Sequence, residues 1–299
     1  MRVLILLAVL NGVDHLLPQI ISIKNQVGIE LDVLIRDDGS NDNSVEFIKN
    51  ICTKNSNFDF LEDSDGPSGS AAANFFKLII NADFSKYDYV ALSDQDDIWD
   101  PLKLKRATDA LGGGFSCYSS NLLAFNQKGY KSWYIRKDFP INSFDFMFQG
   151  GSAGCTYVFE NKFAVELQNF LKAQNFNSLI GLSHDWLLYA FARKKAFHWY
   201  FDSNSYIFYR QHLSNVYGDA GLWGNLIKKY NLIGSKWYRV QVKRILELIG
   251  VDDIPDSILS WANSGPYYKR IGIIKHVFAL RRRRGESILL TLFILLGIA

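Results

Sequence analysis

Over the first hundred residues two hydrophobic periods take turns, and that alternation restricts the folds open to the chain. "RVLILLAVL" is an apolar run of strand length ending at Asn11-Gly12, a turn signal. "HLLPQIISIKNQ" then sets Leu16, Ile20 and Ile23 at helical spacing, with Pro18 tolerable in a first turn. The second strand, "ELDVLIRDD", runs into "GSNDNS", where Ser44 is placed to cap the helix "VEFIKNICTKN". "FDFLED" reads as a weak third strand, "SDGPSGS" as a loop, "AAANFFKLIINA" as a helix and "YDYVALSD" as the fourth strand. Such alternation predicts an α/β fold with a mostly parallel sheet and helices on both faces.

Ligands of such sheets bind beyond the carboxyl ends of the strands. Here those ends carry Asn11-Gly12, Asp37-Asp38 and Asp94-Gln95-Asp96, so polar residues converge on one rim. From about residue 111 the pattern changes: "LGGGFSCYSSNLLAF" reads as loop and strands, and "QGGSAGCTYVF" as a Gly-rich turn entering a strand. "NKFAVELQNFLKA" and "LSHDWLLYAFARK" follow as helices, and "AFHWYFDSNSYIFYRQH" as a strand pair. The remainder is helical and basic. The expected segments are 1–110, 111–220 and 221–299, the first two being halves of one domain.

Charge divides the chain in the same way. Residues 1–218 hold 20 Lys and Arg against 24 Asp and Glu, whereas residues 219–299 hold 13 against 6. A basic tail on an acidic body implies an anionic partner, membrane or nucleic acid. Three cysteines without metal spacing suit a reducing compartment. The apolar start, Val3 to Leu10, is short and no small-residue cleavage site follows it, so it is expected to be a buried strand and not a leader. No run reaches the ~18–20 apolar residues of a spanning helix.

The chemistry concentrates in "YVALSDQDDIWDP", where Asp94, Asp96, Asp97 and Asp100 fall within seven positions after a buried strand. Clustered carboxylates are hard oxygen ligands suited to Mg²⁺ or Mn²⁺, which would also relieve their repulsion. A solvated acidic loop is the competing interpretation of the DxD alone. A calcium loop is excluded, because Trp99 stands where Gly is needed and Lys105 where Glu is needed. There is no GxxxxGK[ST] phosphate loop.

"LIRDDGSNDNS", "LSDQDDIW", "GCTYVF", "HDWLLYAFA" and "YRQHLSNVYG" occur in that order over residues 31–218. Together they resemble the family 2 glycosyltransferases of the GT-A fold, most closely the bacterial rhamnosyltransferase branch. The resemblance implies that Asn11, Gly12, Asp37 and Asp38 border the nucleoside, with Asp38 the base contact. It implies that Asp94 and Asp96 place a metal on the donor diphosphate, with Asp97 supporting the loop and Trp99 packing beneath it. Asp185 matches the catalytic base. Arg210, Gln211 and His212 match a segment that closes near the diphosphate, with His212 also a metal candidate. Gly150, Gly151 and Gly154 are expected either to floor an acceptor site, beside Cys155, His184 and Trp186, or to form a tight turn. One departure is Val9-Leu10, where the family commonly has Thr-Tyr, which shifts base recognition toward Asp38.

The implied reaction is inverting transfer of L-rhamnose from dTDP-β-L-rhamnose to a lipid-linked oligosaccharide of a bacterial surface polysaccharide, such as O-antigen or capsule. A UDP-hexose donor, or a non-catalytic sugar-binding subunit, is the alternative. The tail, Arg281–Arg284 beside the apolar Ile288–Ala299, is expected to sit on the inner leaflet of the cytoplasmic membrane, with a terminal helix packed on the body as the alternative, and to hold none of the catalytic residues. No nucleic-acid partner is expected.

Overall fold

Strand β1 (Arg2–Val9) runs between β2 (Glu30–Asp37) and β4 (Tyr89–Ser93), parallel to both. Seven of its eight residues are buried, because helices cover both faces. The side chains alternate: Leu4, Leu6 and Ala8 enter one core with Phe75 and Phe76, while Val3, Ile5, Leu7 and Val9 enter the other with Leu16, Ile20 and Ile23. Burying each such aliphatic side chain is worth about 1.5–3 kcal/mol. The computed structural model describes residues 1–62, 66–126, 131–211, 237–264 and 271–296.

The remaining strands are β3 (Phe58–Phe60), β5 (Ile98–Trp99), β6 (Cys117–Asn126), β7 (Ser132–Ile135), β8 (Val158–Glu160) and β9 (Trp199–Gln211). One nine-stranded sheet has the order β3-β2-β1-β4-β8-β6-β9-β5, with β7 added on β6. The first four in that order are parallel; β8 runs antiparallel to β4 and β6, and β9 runs parallel to β6. The helices are α1 (Val13–Lys24), α2 (Ser44–Lys54), α3 (Ala71–Asn81), α4 (Lys103–Gly112), α5 (Asn161–Lys172), α6 (His184–Lys194), α7 (Trp237–Ile249), α8 (Asp256–Ala262), α9 (Val277–Leu280) and α10 (Arg284–Leu295).

Four expectations change. Ser44 does not cap α2; its hydroxyl accepts the Gly12 N–H at 2.9 Å, tying the end of β1 to the next loop. Helix α1 starts at Val13, so Pro18 lies inside it and forfeits one ladder bond. The expected strand pair is the single strand β9, whose register shifts beside Ser120 and Asn121. "DSNS" reads as a turn because Asp and Asn favour turns, but Asp202 is buried and accepts from Arg106 Nε at 2.8 Å and Tyr118 Oη at 3.2 Å. Finally, the tail packs on the body: Leu280, Leu290, Phe293 and Ile294 share a core cluster with Leu4 and Phe75.

Candidate active site

The rim of the parallel strands is built largely from side chains that hold backbone. Asn11 adopts a φ of 50° and its Oδ1 accepts the Asn41 N–H at 2.8 Å, while its own N–H donates to Ser40 Oγ at 2.7 Å. Asp37 accepts the N–H groups of Gly39 and Ser40 at 2.9 and 2.8 Å, capping the turn. Asp38 is turned inward and is only 3% exposed. It accepts from Arg36 Nη1 at 2.8 Å, Ser68 N at 2.6 Å and Gly69 N at 3.0 Å. Burial alone would raise its carboxyl, but the bonds from Ser68 and Arg36 outweigh that and hold it below the usual carboxylate range. Asp37 and Asp38 thus shape the loops of the expected nucleoside site through these bonds.

Beyond β4, Asp94 and Asp96 are half-buried at the rim and Asp97 is fully buried behind them. Oxygens of Asp94 and Asp97 and the Cys155 sulfur lie within 4.8 Å of one another, so Cys155 sits beneath the acidic loop. Burial, then the charges of Asp96 and Asp185, push the Asp94 carboxyl up to about 7. Burial also raises the Cys155 thiol, which is therefore a hydrogen-bond donor to the carboxylates and not a thiolate. Trp99 is buried under the loop as expected, and Lys103 Nζ sits 3.5 Å over its ring. Burial pushes that ammonium down to about 7.

Strand β9 grips this loop from the other side. Arg210 Nε donates to the Asp96 carbonyl at 2.9 Å, Arg210 N donates to Asp97 Oδ1 at 3.3 Å, and the guanidinium stacks 4.7 Å from the Phe125 ring. Gln211 is buried beside a cavity, with its amide nitrogen unpaired among the described residues. His212 lies outside the described residues.

That cavity, about 520 Å³, is bordered by Asp185, Trp186, Gly150, Gln211, Trp133 and Lys137. Asp185 stands in the first turn of α6, where Oδ1 accepts the Trp186 N–H at 2.8 Å and the Ser183 hydroxyl. Trp186 donates its indole N–H to the Phe146 carbonyl at 2.9 Å. His184 is half-buried, does not line the cavity and packs on Phe75 with ring centroids 4.5 Å apart. The glycines answer to protein neighbours. A Cβ on Gly154 would collide with His184, one on Gly151 would lie 2.9 Å from Trp199, and one on Gly150 would lie 3.3 Å from the Asp185 backbone.

A further wall comes from the tail, through Arg281, Arg282, Arg283, Glu286, Leu289 and Leu290. Three of the four arginines expected at a membrane therefore line this cavity, and two of them, Arg281 and Arg282, bond to the body. Arg281 donates to the Phe148 carbonyl at 2.6 Å and pairs with Glu286. Arg282 is 7% exposed and donates to the carbonyls of Lys137 and Gly150, each at 3.0 Å. Sequence reasoning missed these residues because a run of four arginines reads as a solvated patch. It also missed Gln95, which makes two hydrogen bonds to the Leu10 backbone, and Ser183.

Strand-end carboxylates thus lie near the helix-borne Asp185, which borders the cavity. Residues 5–163 match the model for glycosyl transferase family 2. The dTDP-rhamnosyl transferase RfbG of Shigella flexneri is 32% identical over 294 residues, which cover 98% of this chain and 100% of that protein. Among solved structures, residues 1–349 of S. aureus TarS in complex with UDP-GlcNAc superpose with a TM-score of 0.56 at 12% identity, over 90% of this chain and 87% of that one. GalNAc-T7 with UDP, GalNAc and Mn²⁺ gives 0.61 at 11% identity, over 89% and 52%. The chain belongs to glycosyltransferase family 2.

Proposed function

We propose that this enzyme transfers L-rhamnose from dTDP-β-L-rhamnose, with inversion, to a hydroxyl of a lipid-linked oligosaccharide in surface-polysaccharide assembly. One observation carries the chemistry: Asp185 is near enough to the acidic loop for its charge to raise Asp94, and it borders the 520 Å³ cavity. The RfbG relative, matched along its whole length, supports the donor.

Asp185 is the general base. Both hydrogen bonds to its carboxylate among the described residues fall on Oδ1, which leaves Oδ2 to accept the proton of the acceptor hydroxyl. The fixed carboxylate also orients that hydroxyl for single displacement, so no enzyme nucleophile is needed. Carboxylate oxygens of Asp94 and Asp97 approach one another, and Asp96 lies half-buried on the same loop; as hard oxygen donors they would suit Mg²⁺ or Mn²⁺, a preference the soft Cys155 sulfur does not share. When bound, such an ion stabilises the charge of the departing diphosphate. Arg210 holds the loop that presents these carboxylates.

A membrane-borne acceptor is supported by α10. Ile288, Leu292, Leu295 and Leu296, with Phe278 nearby in sequence, are exposed large apolar side chains, and Arg283 and Arg284 are exposed before them. The opposite edge of the helix, Leu289 and Leu290, lines the cavity. No helix among the described residues is long and apolar enough to cross a membrane; the proposed contact, with the inner face of the cytoplasmic membrane, is peripheral and made by the exposed face of α10.

Turnover of a panel of nucleotide sugars with Mg²⁺ or Mn²⁺, scored by released nucleoside diphosphate, tests the donor. dTDP-rhamnose is expected to be preferred. Preference for a UDP-hexose overturns the donor, and no release from any donor with an oligosaccharide acceptor favours a non-catalytic subunit.

A further inference from the structure

Arg282 lies well beyond the matched residues 5–163, yet it is among the most enclosed charges beside the cavity. Its guanidinium ties together four separate stretches of chain. Nη1 donates to the Lys137 carbonyl and Nη2 to the Gly150 carbonyl, each at 3.0 Å, and Nη2 also reaches the Gly151 carbonyl. Nε faces Asp145 Oδ2 at 3.5 Å, and the guanidinium carbon lies 4.2 Å from the Phe201 ring centroid. Asp145 is itself held by Arg193 at 2.6 Å and by the Tyr189 hydroxyl at 2.9 Å.

The loop gripped in this way is the one on which the base rests. Gly150 approaches the Asp185 carbonyl carbon and the Trp186 nitrogen so closely that an added Cβ would lie 3.3 Å from each. Tyr157 adds a second tie, donating to the Asp185 carbonyl at 3.0 Å while its oxygen accepts the Ser152 N–H at 3.0 Å. A lysine cannot reproduce the grip, since an ammonium is a point donor and the three carbonyls here are met by a planar fork.

We infer that Arg282 is a positioning residue for glycosyl transfer: the tail inserts it to hold the Gly150–Gly151 loop, and through that loop the Asp185 backbone, at the distance the acceptor requires. This presupposes the transfer reaction proposed for the site. The donor side, formed by the ends of β1, β2 and β4, makes no hydrogen bond to Arg282 among the described residues and is expected to be unaffected by its loss.

The test compares wild type, Arg282→Lys and Arg282→Ala in the full chain. Thermal melting checks folding, dTDP titration reads the donor side, and kcat and acceptor KM are measured separately. The expected result for Arg282→Lys is dTDP affinity within about twofold of wild type but kcat lower by about 10²-fold, the size of loss that small misplacement of reacting groups produces. Added guanidinium ion should restore part of the kcat of Arg282→Ala. Wild-type kcat and acceptor KM in Arg282→Lys would overturn the inference, as would a parallel loss of dTDP affinity and kcat, which marks general loosening of the fold. If Arg282→Ala does not fold, Arg282→Lys alone decides. Absence of transfer by wild type itself counts against the proposed reaction and is thereby distinguished from failure of Arg282.

Discussion

Gln95 and Leu10 are joined by a reciprocal pair of hydrogen bonds: the Leu10 N–H donates to Gln95 Oε1 at 2.7 Å, and Gln95 Nε2 donates to the Leu10 carbonyl at 2.9 Å. The middle residue of the DQD run thereby serves as a strand-end clamp between β1 and β4, aligning the nucleoside rim with the acidic loop. Gln95→Leu, which keeps the size and removes both bonds, should lower stability by about 1–3 kcal/mol and raise the donor KM. Gly12→Ala should act on the same clamp, because its Cβ would collide with the Gln95 amide. The two substitutions should therefore be markedly non-additive in a double-mutant cycle read by denaturant unfolding. Additive losses would show that the clamp and Gly12 act independently.

Asp185→Asn preserves shape and removes proton-accepting strength. Steady-state turnover should fall by roughly 10²- to 10⁴-fold, with dTDP affinity near that of wild type. Near-normal turnover would assign the base to another carboxylate.

Removal of divalent metal should abolish transfer, and Asp96→Ala should do the same while leaving the melting temperature close to wild type, since Asp96 is half-buried at the rim. Isothermal titration with Mn²⁺ should show the loss of binding directly. Full activity in excess EDTA would remove the metal from the mechanism.

The Arg36–Asp38 pair is 1% and 3% exposed, so its loss is felt in stability. Asp38 is held below its unfolded value, and its contribution is present above about pH 4 and lost as pH falls through the lower folded value. Asp38→Ala removes the carboxylate that neutralises a buried guanidinium, leaving it the neutral partners Asn74 and Gly66, and should cost about 3–5 kcal/mol near neutral pH. The acid limb of its stability curve, followed by urea unfolding at several pH values, should be shallower than that of wild type.

Membrane association should depend on the exposed face of α10 and not on all four arginines. Ile288→Ser with Leu292→Ser should release the protein from anionic vesicles in flotation assays, while transfer to a short water-soluble acceptor survives. Salt at 1 M, where the Debye length is ~3 Å, should release only part of the wild type, because Arg283 and Arg284 are exposed whereas Arg282 is buried. Deletion after Leu280 should abolish transfer even to the soluble acceptor, because it removes Arg282 from the Gly150–Gly151 loop.

Hydrophobic period and strand-end polarity are local properties, so the parallel core and the rim carrying Asn11, Asp38 and Asp94 could be read directly along the chain. The same holds for family membership, which rests on ordered motifs. What each polar side chain faces is not local. Asp38 turns toward Arg36 and Ser68, Ser44 toward Gly12, and Cys155 toward Asp94 and Asp97, since only the assembled chain determines which buried donors and acceptors need partners. The tail shows the limit most clearly. Four consecutive arginines have one composition, but Arg281 and Arg282 meet the carbonyls of Phe148 and Gly150, residues more than 130 positions earlier. Buried carbonyls brought together by the fold can draw guanidinium groups inward, whereas Arg283, at the cavity's edge, and Arg284 remain exposed.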